Sequence, residues 1–228
     1  MKIHISIERI AFMTGFSLIL MTVIAGMTMG LVFNGLFTTD LDEFKIALIG
    51  VETSTYNWGL VGWFLILGLD IFVSWGVYQL YKRKNNRKAL LSGMLRLIYS
   101  AILAIALIDL VKVSSGLTNA GDNAHLLFDS VQKFYFLWHL GLIVFGLHLL
   151  FLAKLVCEKK VVLRIISVFL LLAGLGYIIS NTVGLWIENY EEIRFKVELV
   201  FILPMIFGEL GWGIWLMIIG AKGANLKG

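Results

Sequence analysis

Cysteine, proline and charge are what this chain has least of. Its one cysteine, Cys157, allows no internal disulfide and no thiolate metal site. Four histidines are too few for a histidine-rich metal cluster, and no HExxH, GxSxG, phosphate-loop or paired-cysteine pattern occurs. The reading therefore leans away from an enzyme, with no catalytic residues, no metal and no cofactor assigned. Only 15% of the residues are charged while 59% are hydrophobic, and the mean hydropathy is +0.89. A soluble globule of this length cannot disperse that much apolar surface.

What fills the 228 residues instead is a set of six apolar runs, at about 10–37, 56–81, 89–111, 134–156, 161–187 and 195–220. A hydrocarbon core about 30 Å thick takes roughly 20 helical residues to cross, and each run is that long. None shows the alternation of a barrel strand, and backbone polar groups in lipid must be bonded within their own segment, so the runs are helices. The expected fold is all-α: one integral membrane domain over 1–228, a polytopic bundle of six transmembrane helices. The first run resembles a signal peptide in following Lys2 and Arg9, but it exceeds the roughly 7–15 residues of a cleavable core, and Ala25-Gly26-Met27 is a poor cleavage site. It is read as a retained span.

Basic residues fall at alternate ends of these runs. One set of ends carries Lys2 and Arg9, the run Lys82 to Lys88, then Lys154, Lys159, Lys160 and Arg164, then Lys222 and Lys227; the other carries only Lys45, Lys112, Lys133, Arg194 and Lys196. That second set also collects Asp40, Asp42, Glu43, Glu188, Glu191 and Glu192. The positive-inside rule then places both termini in the cytoplasm, for a chain that crosses the cell membrane several times. The net charge of +4 is explained by these inner loops. Without aromatic interleaving it points to no nucleic acid, and Lys82-Arg83-Lys84-Asn85-Asn86-Arg87-Lys88 reads as an anchor on anionic headgroups, with a specific lipid or protein contact as the alternative.

Tyr56, Trp58, Tyr135, Trp138, Trp186 and Tyr190 on the outer side, with Tyr78 and Tyr81 on the inner, suit an interfacial aromatic belt. Gly26-x-x-x-Gly30 and the stripe Gly176, Ser180, Gly184 suit close helix packing within the bundle, with a dimer face as the alternative, so a homo-oligomer is left open but not indicated. Behind Thr39-Asp40, a plausible cap, Leu41, Phe44, Leu48 and Ile49 predict a short amphipathic helix on the outer surface. Asp122 is expected to cap a further turn through 124–128 that leads into the fourth span.

Ionisable groups deep in a bilayer need neutralisation, a partner or water. Asp70, Arg96, His139, His148 and Glu209 are such groups, whereas Asp109 has Lys112 three residues on. Measured from the inner basic residues, His148 lies about 9 Å in, Arg96 about 12 Å, Asp70 about 18 Å and Glu209 about 20 Å. They share one layer. Arg96 shares its face with Ser92, Gly93, Tyr99 and Ser100, Asp70 with Ser74, and Glu209 with Gly213, so each points along a small or polar stripe toward the interior. His139 and His148, nine residues apart, face opposite ways, which disfavours a paired-histidine haem site. Pro204, which lacks the N–H for the carbonyl near Val200, is expected to kink the last helix beside Glu209 and act as a hinge.

Phe145-Gly146-Leu147-His148-Leu149, Leu172-Ala173-Gly174-Leu175-Gly176-Tyr177, and Leu203-Pro204 with Gly208-Glu209-Leu210 and Trp215-Leu216 resemble the bacterial membrane family catalogued as domain of unknown function 4386. Asp70 before Tyr78-Gln79-Leu80-Tyr81, and Leu95-Arg96-Leu97-Ile98, resemble its second and third helices. The resemblance covers nearly the whole chain, more strongly in its second half. It implies a multi-pass protein of about six helices and carries no activity with it. It marks Asp70, Arg96, His148 and Glu209 as positions where the family has the same residue, and leaves His139 peculiar to this chain. The chain departs from the pattern at 158–164, which lacks a Gly-and-Pro-containing turn, and at Phe134, where a histidine is expected.

Three classes of function stay open. A small-solute or ion carrier would use Asp70, Arg96, His148 and Glu209 as a substrate or proton site. A non-catalytic structural or regulatory protein would use them only to hold helices together. An intramembrane enzyme would need a nucleophile or metal beside His148 or Glu209, and none is found. Gly59-Leu60-Val61-Gly62-Trp63 and Gly208-Glu209-Leu210-Gly211-Trp212 echo each other at non-equivalent positions, which does not make an inverted repeat. The partner common to all three readings is the lipid bilayer.

Overall fold

A chain with a single proline has few places where a helix must stop, and the computed structural model is helical almost throughout. It describes residues 6–33, 35–38, 40–186 and 190–223, with the side chains of 31, 122, 184–186, 190–199 and 202 left aside. The helices are α1 (Ile7–Met27), continued by a π-helical turn (Thr28–Val32), α2 (Leu41–Ile49), α3 (Thr53–Tyr81), α4 (Asn86–Gly116), α5 (Ala120–Val156), α6 (Val161–Trp186) and α7 (Tyr190–Lys222). Among the described residues there is no strand. All but α2 are long and apolar enough to cross a membrane, which makes six candidate spans and a multi-pass membrane protein.

Two of the expected boundaries move. The first run was expected to be helical to Phe37, but α1 loosens at Thr28 and the chain turns through Gly35, whose φ of 81° suits glycine. Phe33 and Leu36 turn inward there and are fully buried, so apolar composition continues where the helix does not. The fourth run was expected to start near 134 after a separate capped turn. Instead α5 is one helix of 37 residues, about 55 Å long at 1.5 Å per residue. Its first turns therefore stand outside a 30 Å hydrocarbon layer, because nothing between Ala120 and Phe134 breaks the helix. Asp122's side chain lies outside the described residues.

Short connections make chain neighbours antiparallel spatial neighbours. Each span here packs on the spans before and after it, and α7 returns to α1, so the six close into a ring. Backbones touch where glycine permits. A Cβ on Gly146 would sit 2.7 Å from the Gly174 carbonyl, and one on Gly174 2.8 Å from the Gly146 carbonyl, which joins α5 to α6. On the α1–α7 seam Gly15 meets the Gly213 carbonyl, and a Cβ on Gly220 would come within 2.6 Å of the Glu8 carbonyl. That last contact puts the first and last turns at one face. The same face carries Lys84, which donates to the Glu158 carboxylate at 3.1 Å and so ties the two basic turns together.

Gly26 and Gly30, expected to be packing glycines, would meet nothing within 4 Å, so that motif marks open space rather than a contact. Gly176 does pack closely, against Phe201 of α7, and Gly184's side-chain environment lies outside the described residues. The aromatic belt also needs correction. Trp58 is 74% exposed, as an anchor should be, but Tyr56 is buried and donates to the Leu110 carbonyl at 3.0 Å. Tyr81 is buried too, accepting from Trp212 Nε1 at 3.1 Å, and Trp138 packs inward on Trp63. Trp186 and Tyr190 have side chains outside the described residues. Cys157, expected to be buried or interfacial, is exposed at the α5–α6 turn.

At the acidic face α2 is capped by Asp40, whose carboxylate accepts from the amides of Asp42 at 2.8 Å and Glu43 at 2.9 Å. Phe44 and Leu48 are buried, Phe44 meeting Phe128 of α5 edge-on at 5.4 Å, while Ile49 is exposed. The helix therefore docks its buried face on the protein, and Ile49 does not belong to that face. Below it Phe33, Phe37 and Phe134 stack at 5.4 and 5.5 Å, and Phe134 meets Trp63 at 5.3 Å. These rings lie between the acidic face and the interior of the ring.

Candidate functional site

A ring of six helices encloses space unless large side chains fill it, and here they do not. A cavity of about 460 Å³ is lined by residues of all six spans, among them Thr22 and Gly26 of α1, Asp70 of α3, Arg96 of α4, Phe145 of α5, Tyr177 of α6 and Glu209 of α7. Trp63 and Trp138 line it as well. The volume falls within the range of small-molecule sites.

On one side of it lies a cluster that has shed water almost completely: Arg96 is 1% exposed, Asp70 3% and His148 0%. Arg96 Nε donates to Asp70 Oδ1 at 2.9 Å and Nη2 donates to the same oxygen at 2.5 Å. The guanidinium also sits over the Phe145 ring, its central carbon 5.0 Å from the centroid. Its third nitrogen, Nη1, lies 3.4 Å from His148 Nε2, at the long end of hydrogen bonding. The opposite ring nitrogen, Nδ1, is 2.8 Å from the Ser92 carbonyl and 2.9 Å from Ser92 Oγ.

These partners assign the tautomer. A carbonyl only accepts, so Nδ1 carries the proton, and a guanidinium only donates, so Nε2 is the acceptor. The backbone supports the arrangement. Ser74 Oγ donates to the Gly93 carbonyl at 2.7 Å and binds α3 to α4 one turn from the ion pair, while Ser100 Oγ caps the Arg96 carbonyl at 3.0 Å.

Glu209 lines the same cavity from α7, and its Oε1 is buried with no hydrogen-bond partner. Trp63 Nε1 is likewise buried without a partner. The residues lining the cavity thus include a compensated ion pair and two side chains, Glu209 and Trp63, each with a buried polar atom that the protein leaves unsatisfied, which buried groups seldom are.

Of the residues singled out in the sequence, Asp70, Arg96 and His148 come into one bonded cluster, and Glu209 lines the same cavity as Asp70 and Arg96. His139 does not join. Its Nδ1 is hydrogen-bonded to Asn181 of α6, and its ring packs on Tyr135 at 4.2 Å. Asp109 binds Lys112 at 2.6 Å. Pro204 lies within α7, which is continuous from Tyr190 to Lys222. Sequence reasoning missed Trp63 and Trp138 as lining residues, and no signal separates a cavity tryptophan from a belt tryptophan in an apolar run. It also missed Thr22 and Gly26, whose small size was the one available cue. Among the described residues no group of His, Cys, Asp and Glu could hold a metal ion.

The chain is 28% identical over 178 residues to an uncharacterized protein of Archaeoglobus fulgidus, a match that covers 78% of this chain and 91% of that one. That relative is archaeal, so the likeness is not confined to bacteria. No solved structure matches. The family model described as Domain of unknown function (DUF4386) matches residues 13–220, from the early turns of α1 to the end of α7 and across Asp70, Arg96, His148 and Glu209. The chain belongs to the DUF4386 family.

Proposed function

We propose that this protein is a small-solute or ion carrier whose site is the layer formed by Asp70, Arg96, His148 and Glu209. The observation that carries the reading is the cavity itself, lined by all six spans and by Glu209, whose Oε1 no protein atom satisfies. A half-buried carboxylate lining a cavity is a natural point for a proton or solute to bind and leave. Pro204, one turn or so from Glu209 and without an N–H to give the carbonyl of Val200, is the hinge assigned to α7. The basic face, with both chain ends, is assigned to the cytoplasm. The exposed native thiol of Cys157 lies at that face. A membrane-impermeant thiol reagent should therefore spare it in intact cells and label it in permeabilised ones, and labelling in intact cells would reverse the orientation.

The second reading is a structural or regulatory membrane protein in which buried charges only hold helices together. It is favoured by the completeness of the Arg96–Asp70–His148 contacts. Flux separates the two. The full chain in vesicles containing a pH dye, under an imposed potassium diffusion potential, should show proton or cation movement that Glu209→Gln removes. Absence of any flux above protein-free vesicles would favour the structural reading.

A further inference from the structure

Among the described residues, the charged groups lining the cavity are Arg96, Asp70 and Glu209, and they do not cancel. Two nitrogens of Arg96 are committed to Asp70 Oδ1, so the pair is formally neutral, and the remaining charge is that of Glu209. An anion entering this space would find no unpaired cation among the described residues. A cation would find the Glu209 carboxylate, one oxygen of which has no protein partner, and, around the same space, the aromatic side chains of Trp63, Trp138, Tyr99, Phe145 and Tyr177. A bare metal ion would want several oxygen ligands, and no set of three acidic, histidine or cysteine side chains is assembled among the described residues. One carboxylate amid aromatic rings suits an organic cation, which needs few hydrogen bonds and gains from ring contact. Met21, Met29 and Met205, also lining, are unbranched and conform to varied apolar shapes.

The way in points to the same class. Toward the basic face α1 and α7 are locked backbone to backbone at Gly15 and Gly213 and again at Gly220. Higher on the seam the two helices flank the cavity instead. Thr22 and Gly26 of α1 line it and are exposed, Gly26 has open space where a side chain would be, and Ile206 of α7 lines it and is 43% exposed. Thr22 is about 22 Å along α1 from Ile7 at 1.5 Å per residue, still within the depth of the hydrocarbon layer. The mouth therefore opens sideways, toward lipid.

Resting on the carrier reading, we infer that the solute is a lipophilic organic monocation that enters from the bilayer between α1 and α7 and binds with its charge at Glu209. The test uses two probes of one shape and opposite charge, tetraphenylphosphonium and tetraphenylborate, with the full chain in lipid nanodiscs and empty discs subtracted. The wild type should bind the cation at least tenfold more tightly than the anion, and Glu209→Gln should remove that difference while leaving the unfolding temperature unchanged. Gly26→Leu, which places a side chain in open space at the mouth, should slow the cation's association severalfold without loss of fold. Equal binding of both ions by the wild type, a preference that survives Glu209→Gln, or an association rate indifferent to Gly26→Leu would overturn the inference. Any of these leaves the flux assay of the carrier reading untouched, and cation binding without flux would overturn that reading alone.

Discussion

Asp70 and Glu209 are both carboxylates inside the helix ring and both line one cavity, yet the fold treats them in opposite ways. Asp70 receives two hydrogen bonds from Arg96 on one oxygen, and Arg96 in turn rests on Phe145 and His148. Glu209 has an oxygen that no protein group meets. Removing a charge from water costs several kcal/mol, and a close opposite charge offsets that cost only where geometry is good. The α3–α4 side therefore looks built for permanence and the α7 side for exchange. A single layer of buried charge, read as one unit in the sequence, divides into a fixed part and a responsive part.

The largest effect should come from breaking the fixed part. Arg96→Met leaves Asp70 buried without a partner and should destabilise the protein by about 3–5 kcal/mol, read as a lowered unfolding temperature in detergent. The double variant Arg96→Met with Asp70→Leu should recover most of that loss, because no unpaired charge remains. Near-wild-type stability of Arg96→Met alone would mean that the pair contributes little, and the contrast between the two carboxylates would collapse.

A middle-sized effect sharpens the comparison at the level of backbone. Gly146→Ala places a Cβ 2.7 Å from the Gly174 carbonyl on the closed α5–α6 seam and should cost about 1–3 kcal/mol through overpacking. Gly26→Ala, at the open part of the α1–α7 seam, meets nothing within 4 Å and should change stability by less than about 0.5 kcal/mol. Thermal unfolding of both variants checks this. A Gly26→Ala loss as large as that of Gly146→Ala would show that the seam is closed against the solute.

Much of this was legible in the sequence, and the misses have a common origin. The number of spans follows from run length against bilayer thickness, and the inward faces of Asp70, Arg96 and Glu209 follow from helical periodicity beside small residues. Periodicity tells which residues share a face but not what that face meets. Gly26-x-x-x-Gly30 has the spacing of a packing motif and lies along open space, and Trp138 has the position of a belt residue and turns inward to Trp63. For the same reason depth puts Asp70 and Glu209 in one layer with Arg96, and only distance shows that Asp70 is the bonded one. Helix ends were missed where polarity changed without a breaker, as at the start of α5, or where apolar residues continued after the helix loosened, as at Phe33 and Leu36.

The smallest effect on stability is the most discriminating. Glu209→Gln keeps the size of the side chain and removes its charge, and since Oε1 has no hydrogen-bond partner the substitution breaks no bond at that oxygen. A half-buried carboxylate with one oxygen lacking a partner gains little from its charge on folding, so neutralising it should leave the unfolding temperature unchanged or raise it slightly. Arg96→Met does the reverse by creating an uncompensated charge. Stability and binding should then separate: the Gln variant stays folded while its preference for a cation and any flux disappear, and the fixed pair remains intact. A loss of several kcal/mol in Glu209→Gln would show that this carboxylate is held in the folded protein by a strong partner. Glu209 would then join Asp70 as a group that holds helices, and the division of the layer into a fixed and a responsive part would fail.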